Sequence, residues 1–310
     1  MSDQAKNEQP KFDVLGDILE TLHFRGSIFF RSKLASPWGL SFSEMNIPRF
    51  HAALKGGYFI GVGGGKIVNV KHMDIVMLPH GDVHWIADQE GRELISSEAA
   101  QDACELSTPF FQQGELSNSV LCGLVRFEQE LKHPFMQSLP PIMHFSNLKE
   151  SDPIWATVML IDAEAQKKYS SSNIVNRLTE VLFLQLLIKY ADEEEFIGNP
   201  YISPRNYRIH QLLDAIHKDP QINWSLSLLG QKIGMSSATL NRRFNAEIGV
   251  APMTYIANWR MTKAHHLIKH SNLTFEQIAE MVGFSSARTL NAGFVRHYNY
   301  TLSNLRKSTT

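Results

Sequence analysis

The chain has 310 residues, 43% of them hydrophobic, and a formal net charge of −1, which favours two ordinary globular domains over one. No apolar run reaches the roughly 20 residues that a membrane span needs, and the first ten residues lack the apolar stretch of a signal peptide. Two cysteines exclude a disulfide scaffold and indicate a reducing compartment, so we expect a cytoplasmic protein with no membrane partner.

Residues 12–150 read as a β-rich domain that follows a disordered lead at residues 1–11. A short amphipathic helix is predicted at 12–22, and Asp88 to Gly114 reads as a long loop. Short apolar or alternating runs, separated by Gly-containing turns, are typical of a sandwich or barrel. The predicted strands lie at 26–31, 38–42, 49–54, 57–62, 67–70, 74–79, 84–86 and 119–127.

The apolar period becomes helical between residues 151 and 192, where two helices are predicted. The second helix is apolar on more than one face. It therefore packs on the β-rich domain, forms a homodimer, or does both, and the sequence leaves these alternatives open. The stretch from Asp192 to Pro204 combines acidic residues with Gly and two Pro, so we place a linker at residues 193–203.

Two similar stretches organise the remaining residues, 204–310. They begin at Gly234 and Gly283, and each continues with an apolar residue, two serines and an apolar-periodic helix. A short amphipathic run precedes each one, which is the helix-turn-helix pattern. Because the pattern occurs twice, we predict two such units, at residues 225–249 and 274–298.

A helix predicted at 252–270 separates the two units. Its 19 residues would span roughly 28 Å at about 1.5 Å per residue. Two recognition helices held about one duplex turn apart, roughly 34 Å, could enter successive major grooves of double-stranded DNA.

The net charge supports this interpretation because it is unevenly distributed. Residues 200–310 carry 13 Lys and Arg against 5 Asp and Glu, a formal charge of +8. The other 199 residues carry 17 against 26, a formal charge of −9. A basic segment attached to an acidic remainder is typical of polyanion binding, although a merely solvated surface gives the same balance.

Polar residues near the start of each second helix are the candidate DNA contacts. Short hydroxyl side chains suit phosphates, whereas Asn and Arg reach base edges. Apolar residues on the opposite faces, such as Leu240 and Phe294, should be core. The candidates are Ser236, Ser237, Ala238, Thr239, Asn241, Arg242, Arg243, Ser285, Ser286, Arg288, Thr289, Asn291 and Arg296.

The last hundred residues resemble the DNA-binding domain of AraC/XylS-type bacterial transcription regulators. The resemblance is carried by residues 233–244, 249–255, 260–264 and 278–294. It implies that Ala238, Asn241 and Arg242 face bases in the first unit and that Arg288 and Thr289 do so in the second. It also implies RNA polymerase as a partner.

Departures from the family pattern lie mainly in the second unit. The family usually has basic residues where this chain has Ala292 and Val295, and Gly and Pro where it has Asn299 and Leu302. We therefore expect the second recognition helix to read bases more weakly than the first.

Residues 49–86 and 121–126 resemble the cupin-type sensor domain of some of these regulators. The carrying residues are Phe50-His51, Gly56-Gly57 and the run from Asp74 to His84. The resemblance implies a small β-barrel whose mouth holds a small-molecule effector. The candidate lining residues are Trp38, His51, Tyr58, His80, His84 and Trp85.

A metal-dependent cupin enzyme is the alternative function. Such a site needs a His-x-His pair and a carboxylate on one strand, followed by a later His. His84 fits the later position, but residues 46–53 contain neither the pair nor the acid. We therefore expect no metal, no other cofactor and no catalytic residue.

Cys104 and Cys122 raise the possibility of a redox signal. A redox sensor needs an exposed thiol of low pKa. Cys122 lies in an apolar strand and Cys104 lies between Asp102 and Glu105, so neither setting favours a thiolate.

The sequence thus predicts an α+β multidomain protein, with a cupin-like β-barrel, a helical extension and an all-α double helix-turn-helix. We expect a ligand-responsive regulator, most simply an activator.

Overall fold

The structure is a computed structural model that describes residues 14–43, 45–65, 67–100, 114–127, 133–167, 172–192, 201 and 207–308. The chain forms two compact units. The β-rich unit comprises residues 24–132 and 136–192, and the helical unit comprises residues 1–23, 133–135 and 193–310. The predicted lead, the predicted linker apart from Tyr201, and Cys104 lie outside the described residues.

Two five-stranded sheets build the β-rich unit. The strands are β1 Phe24–Ala35, β2 Gly39–Phe42, β3 Arg49–Lys55, β4 Tyr58–Val62, β5 Ile67–Val70, β6 Ile75–Leu78, β7 His84–Ala87, β8 Ile95–Ser96, β9 Leu116–Phe127 and β10 Met143–Phe145. The first sheet has the order β1-β9-β3-β6-β10 and the second the order β5-β4-β7-β2-β8. Pairing is antiparallel except between β2 and β8.

The core of this unit lies between the two sheets. Val76 and Leu78 from the first sheet share one buried cluster with Leu40 and Phe42 from the second. Such alternate residues lie on one face because successive side chains of a strand point to opposite sides. A shared core means that the sheets face each other, as in the predicted sandwich or barrel.

The helices are α1 Val14–Leu22, α2 Pro134–Gln137, α3 Pro153–Ala165, α4 Ser172–Asp192, α5 Tyr207–Lys218, α6 Leu226–Ile233, α7 Ser237–Ile248, α8 Pro252–His270, α9 Phe275–Met281, α10 Ala287–Tyr298 and α11 Leu302–Lys307. In the β-rich unit, α4 packs on β1, where a Cβ on Gly26 would lie 2.6 Å from Thr179 Cβ. Of the two roles predicted for this helical segment, the structure therefore shows packing on the sheet. The homodimer stays a prediction.

Helix α1 belongs to the helical unit, although the sequence placed it in the β-rich domain. The Asp17 carboxylate accepts hydrogen bonds from His217 Nδ1 at 2.8 Å and from Lys263 Nζ at 3.0 Å. Burial acts to raise the pKa of Asp17, but the hydrogen bond from His217 and the charge of Lys263 outweigh it and hold the pKa below its ordinary value. These partners lie 200 and 246 positions away along the chain, so no local pattern reveals them.

The prediction of a loop from Asp88 to Gly114 is wrong in part. Ile95–Ser96 forms β8, which pairs in parallel with β2, and residues 97–100 are helical. Strand β10 and helices α2 and α11 were also not predicted. These elements have six residues or fewer, which is too short for a periodic signal. Among the described residues, no helix combines the length and apolar character that crossing a bilayer requires.

Candidate nucleic-acid interface

The first helix-turn-helix consists of α6 and α7. Helix α6 ends at Gly234, whose φ of 65° is left-handed, and Ser236 begins α7 by accepting the amide hydrogen of Thr239. Left-handed residues at a helix end favour glycine, which has no Cβ to clash. Leu229 and Ile233 from α6 and Leu240, Phe244 and Ile248 from α7 are buried. The opposite face of α7 is left exposed.

Close contact between α6 and the turn requires a small residue. A Cβ on Gly230 would lie 2.5 Å from the carbonyl oxygen of Met235, and Met235 N donates to Gly230 O at 2.9 Å. The second unit repeats this arrangement with Ala279, whose carbonyl accepts from Phe284 N at 2.8 Å. The turn of both units is thus built by the same backbone hydrogen bond.

The second helix-turn-helix consists of α9 and α10 and has stronger caps. Thr274 and Gln277 form a capping box at α9, and Ser286 and Thr289 form another at α10. The Ala287 amide also donates a hydrogen bond of 2.9 Å to Oε2 of Glu276. A carboxylate therefore occupies the positive end of α10, where an anion is stabilised by the helix dipole. The first unit has Ser227 at the corresponding position, 49 residues earlier.

Helix α8 joins the two units and contributes to both of their cores. Tyr255 packs against Phe244 of the first unit, with ring centroids 5.7 Å apart. Met261, Ala264 and Ile268 share one buried cluster with residues from α9, α10 and α11 of the second unit. A helix held at both ends in this way fixes the spacing of the two motifs.

Arg260 ties the two motifs together more directly. From the middle of α8 its guanidinium donates to Pro220 O at 2.8 Å and Ile222 O at 2.7 Å, just before α6. It also donates to Gly283 O, in the turn of the second motif, at 3.4 Å. Arg260 lies in a stretch that resembles the AraC/XylS pattern, but the sequence predicts no role for it, since its acceptors are backbone atoms that no residue type identifies.

The predicted DNA contacts are mostly exposed and fall into two groups. The hydroxyls of Ser236, Thr239, Ser285, Ser286 and Thr289 form hydrogen bonds within the caps of their own helices. Ser237, Ala238, Asn241, Arg242, Arg288 and Arg296 are exposed. Arg242, Arg288 and Arg296 form no hydrogen bond or ion pair with the described residues.

Two further candidates have partners inside the domain. Arg243 lies 3.7 Å from Glu247 on the same helix. Asn291 is half-buried, and its Oδ1 accepts the amide hydrogen of Leu302 at the start of α11. Asn299, where the family usually has glycine, ends α10 with a φ of 64°. Asparagine is the next most tolerant residue in that conformation, so this departure preserves the helix end.

In the β-rich unit, two of the predicted pocket residues form a buried hydrogen-bonded chain with Cys122. His84 Nδ1 lies 2.8 Å from the Asp82 carbonyl, His84 Nε2 lies 2.8 Å from His51 Nε2, and His51 Nδ1 lies 2.9 Å from Cys122 Sγ. A carbonyl only accepts, so His84 donates from Nδ1, His51 donates to His84, and the Cys122 thiol donates to His51. This direction requires both rings to be neutral.

The pKa values agree with neutral rings and a neutral thiol. Burial lowers the pKa of His84 to about 4, although the Asp82 carbonyl acts to raise it. Burial lowers the pKa of His51, and the electrostatic interactions that a protonated His51 would have with His84 and Arg49 lower it further. Burial raises the pKa of the Cys122 thiol well above its usual range.

The other four predicted pocket residues are dispersed. Trp38 and Tyr58 belong to the core between the sheets, while His80 and Trp85 are half-buried. Trp38 Nε1 donates to Asn118 Oδ1 at 3.2 Å, and the Tyr58 hydroxyl donates to the His51 carbonyl at 3.0 Å. Trp38 also borders a cavity of about 140 Å³ with Pro37, Arg92, Glu93 and Ile95.

A third set of side chains was not predicted. His23, His266 and His270 each place one imidazole nitrogen within 4.8 Å of the other two. The spacing of His266 and His270 was visible in the sequence, since residues four apart share a helix face. His23 joins them through the tertiary fold of the helical unit.

Comparison with known proteins covers both units. Residues 13–192 match the family described as Cupin, and residues 229–308 match the family described as Helix-turn-helix domain. The chain is 23% identical over 309 residues to the HTH-type transcriptional regulator AlkR of Acinetobacter baylyi, covering 95% of this chain and 99% of AlkR. It is 26% identical over 303 residues to an uncharacterized HTH-type transcriptional regulator of Haemophilus influenzae, covering 96% of this chain and 99% of that relative.

Among solved structures, ToxT from Vibrio cholerae aligns with 93% of this chain and 98% of its own. The two chains are 11% identical, and the TM-score is 0.36.

Proposed function

This chain belongs to the cupin family and is an AraC-type DNA-binding transcription regulator, and we propose that it activates transcription when its β-rich domain binds a small molecule. Each part of the chain then has its own role. Residues 12–150 sense the effector, residues 151–192 pack and dimerise, and residues 204–310 bind DNA beyond a linker at 193–203. Its partners are double-stranded DNA and RNA polymerase, which implies a cytoplasmic protein.

The exposed guanidinium of Arg242 is the observation that carries the proposed DNA contacts. It lies on the face of α7 opposite the buried Leu240 and Phe244 and has no hydrogen-bond partner among the described residues. Arginine reads guanine through two parallel hydrogen bonds in the major groove. We propose that Ala238, Asn241 and Arg242 read bases and that Ser236, Ser237, Thr239 and Arg243 contact phosphates.

For the second motif we propose that Arg288 and Thr289 face bases and that Ser285, Ser286, Asn291 and Arg296 line the backbone. Three features support weaker base reading here. The Glu276 carboxylate occupies the start of α10, the Thr289 hydroxyl is bound within its cap, and Ala292 and Val295 lack the family's positive charges. The first motif then contributes most of the specificity.

The experiment that tests this function is a selection of duplexes from a random pool with the full chain. Recovery of one sequence with two recognition elements about one helical turn apart supports the proposal, and affinity should fall steeply with salt as counterions are released. Recovery of no preferred sequence would contradict it. Repeating the selection with candidate metabolites identifies the effector as the compound that changes the affinity.

A metal-dependent enzyme remains the alternative in the β-rich domain. The relatives that match the whole chain are transcriptional regulators, which favours a regulator. Stoichiometric bound metal in the β-rich domain together with turnover would favour the enzyme.

A redox signal through Cys122 is disfavoured by its surroundings. Its thiol is buried and donates to His51 Nδ1, whereas oxidation needs an accessible thiolate. We expect Cys122 to remain unmodified after mild peroxide treatment of the native protein, as measured by mass spectrometry, and to be labelled after denaturation. Rapid modification of the native protein would restore a redox role. The same measurement on Cys104 tests the other candidate.

An apolar stripe on α4 supports a homodimer. Ile174, Val181 and Ile188 are spaced seven residues apart and are 48%, 45% and 53% exposed. Met159 and Leu160 on the adjoining helix α3 are also exposed. A stripe with a seven-residue period suits pairing with a like helix, so we propose that two copies of the chain associate through α3 and α4.

A further inference from the structure

Three imidazoles meet on the helical unit where α1 ends beside α8. His266 and His270 lie one turn apart on α8, and His23 follows the last residue of α1. The ring centroid of His23 lies 3.9 Å from that of His270 and 5.3 Å from that of His266. The rings of His266 and His270 are 5.0 Å apart. One nitrogen from each ring falls within 4.8 Å of the other two.

The His23 ring is oriented for a ligand on its second nitrogen. Its Nδ1 lies 3.3 Å from the Glu20 carbonyl, to which it can only donate, so Nε2 keeps an available lone pair. Histidine ligands of metals usually donate their other ring nitrogen to a carbonyl or carboxylate in this manner. His23 also has a left-handed φ of 43°, which a non-glycine residue adopts at an energetic cost that functional sites often retain.

The segment that carries His23 is held by contacts outside the cluster of His23, His266 and His270. Asp17 on α1 bonds Lys263 at 3.0 Å and His217 at 2.8 Å. Lys263 lies on α8, three residues before His266. The ion pair of Asp17 and Lys263, six residues before His23 and three residues before His266, therefore helps to hold the end of α1 over α8.

From this geometry we propose that His23, His266 and His270 bind one divalent transition-metal ion. The preferred ion is Zn²⁺. Imidazole suits zinc, copper and nickel, and three protein ligands with water in the fourth position form a common tetrahedral zinc arrangement. Bonds of about 2.0–2.1 Å require nitrogens about 3.3 Å apart. The nitrogens lie within 4.8 Å of one another, so metal binding requires the three rings to move closer together, and none of them is fully buried.

The site fastens the N-terminal helix to the helix that joins the two DNA-binding motifs. It is separate from the effector site proposed in the β-rich domain and does not depend on DNA binding. The site binds a metal ion, and we expect the helical unit to be more stable when zinc is bound.

The test is a zinc titration of the untagged full chain, stripped of metal, in competition with a chromogenic zinc indicator. We expect one equivalent to bind. His266→Ala, His270→Ala and His23→Ala should each weaken binding by more than about tenfold, the lower range for losing even an outer-shell partner. Co²⁺ should give the visible absorption of a tetrahedral site. Zinc should raise the Tm of the wild-type protein but not that of the double variant H266A/H270A.

His210→Ala is the matched control. It removes a half-buried histidine of the same unit that lies 3.6 Å from Asp214 one turn away, and it should leave zinc affinity unchanged. Circular dichroism verifies that each variant is folded. Substoichiometric binding by the wild type, or equal affinity in the double variant, would overturn the site. Loss of binding in His266→Ala and His270→Ala but not in His23→Ala would overturn the three-ligand geometry.

Discussion

Arg242 and Arg296 are both exposed arginines on recognition helices, but their surroundings differ. Arg242 is the sixth of the twelve residues of α7 and lies in the N-terminal half, the part of the recognition helix that contacts base edges in a helix-turn-helix complex. Arg296 lies in the last turns of α10 and borders a cleft of about 360 Å³ that α10 forms with α8. The first position suits base reading, whereas the second suits contact with a phosphate.

We therefore predict that Arg242→Ala weakens binding to the selected duplex by about 1–3 kcal/mol, roughly fivefold to 150-fold, and relaxes specificity at one base pair. Arg296→Ala should weaken binding to all duplexes to a similar, smaller extent and reduce the salt dependence by about one counterion. Both are measured by fluorescence anisotropy at fixed salt. Equal losses for the two variants would contradict the ranking.

His84 gives a prediction for the dependence of stability on pH. Its pKa is about 4 in the folded β-rich unit against 6.5 ordinarily, so the unfolded chain binds the proton more readily between these values. The contribution of neutral His84 to the free energy of unfolding is therefore complete above about pH 6.5 and is lost as the pH falls towards 4. At about 1.4 kcal/mol per pKa unit, His84 accounts for a loss of about 3 kcal/mol across this window.

The measurement is urea unfolding of the full chain followed by near-ultraviolet circular dichroism from pH 7 to pH 4. His84→Gln, which does not titrate, should be less stable at pH 7 and should lose less stability on acidification. His72→Gln is the control, because its exposed ring lies outside the hydrogen-bonded chain. An unchanged acid dependence in His84→Gln would show that folding does not lower the pKa of His84.

At the scale of elements, the two helix-turn-helix motifs act together only if α8 and its contacts hold them rigidly. The buried faces of α8 supply the spacing, and Arg260 adds hydrogen bonds to the loop before one motif and to the turn of the other. Burial lowers the pKa of Arg260, but arginine remains charged, so its donors stay available to all three carbonyls.

We predict that Arg260→Met lowers the free energy of unfolding by about 2–3 kcal/mol, since hydrogen bonds to a charged group contribute about 1.5–3 kcal/mol each and some re-form with water. Binding to the full duplex site should fall, while binding to a half-site for the first motif should change little.

The control is Arg306→Met, which removes a hydrogen bond to Leu273 O and a contact with the Phe275 ring inside the second motif alone. If Arg260→Met and Arg306→Met reduce full-site binding equally, Arg260 has no role in joining the motifs.

At the scale of the whole molecule, the proposed dimer determines how many motifs meet the DNA. A monomer presents two recognition helices and a dimer presents four, so dimerisation through α3 and α4 would double the length of the recognised sequence. The exposed stripe on α4 has no counterpart on its opposite face, where Leu182, Phe183, Leu186 and Leu187 are buried.

We predict that Val181→Asp converts a dimer into a monomer, because it introduces a charge at the middle of the apolar stripe. Sedimentation velocity measures the mass, and circular dichroism verifies the fold. Asn173→Asp adds the same charge at an exposed position beside the stripe and should leave the dimer intact. A wild-type chain that sediments as a monomer at all concentrations would end this proposal.

Local sequence patterns were sufficient to predict most of the helices of the helical unit. Ser225, Ser236, Thr274 and Ser286 begin their helices by side-chain capping, and such caps depend on residues only three positions apart. Pro252 and the turn glycines Gly234 and Gly283 mark boundaries for the same local reason. The sequence by itself therefore determined the double helix-turn-helix and the bounds of α8.

Tertiary structure alone decided what depends on distant partners. The assignment of α1 to the helical unit follows from Asp17 meeting His217 and Lys263, and the histidine cluster follows from that docking. The hydrogen-bonded chain from Cys122 through His51 to His84 joins three strands. Burial, which depends on how those strands pack, then keeps both rings neutral, and no spacing along one chain specifies such an environment.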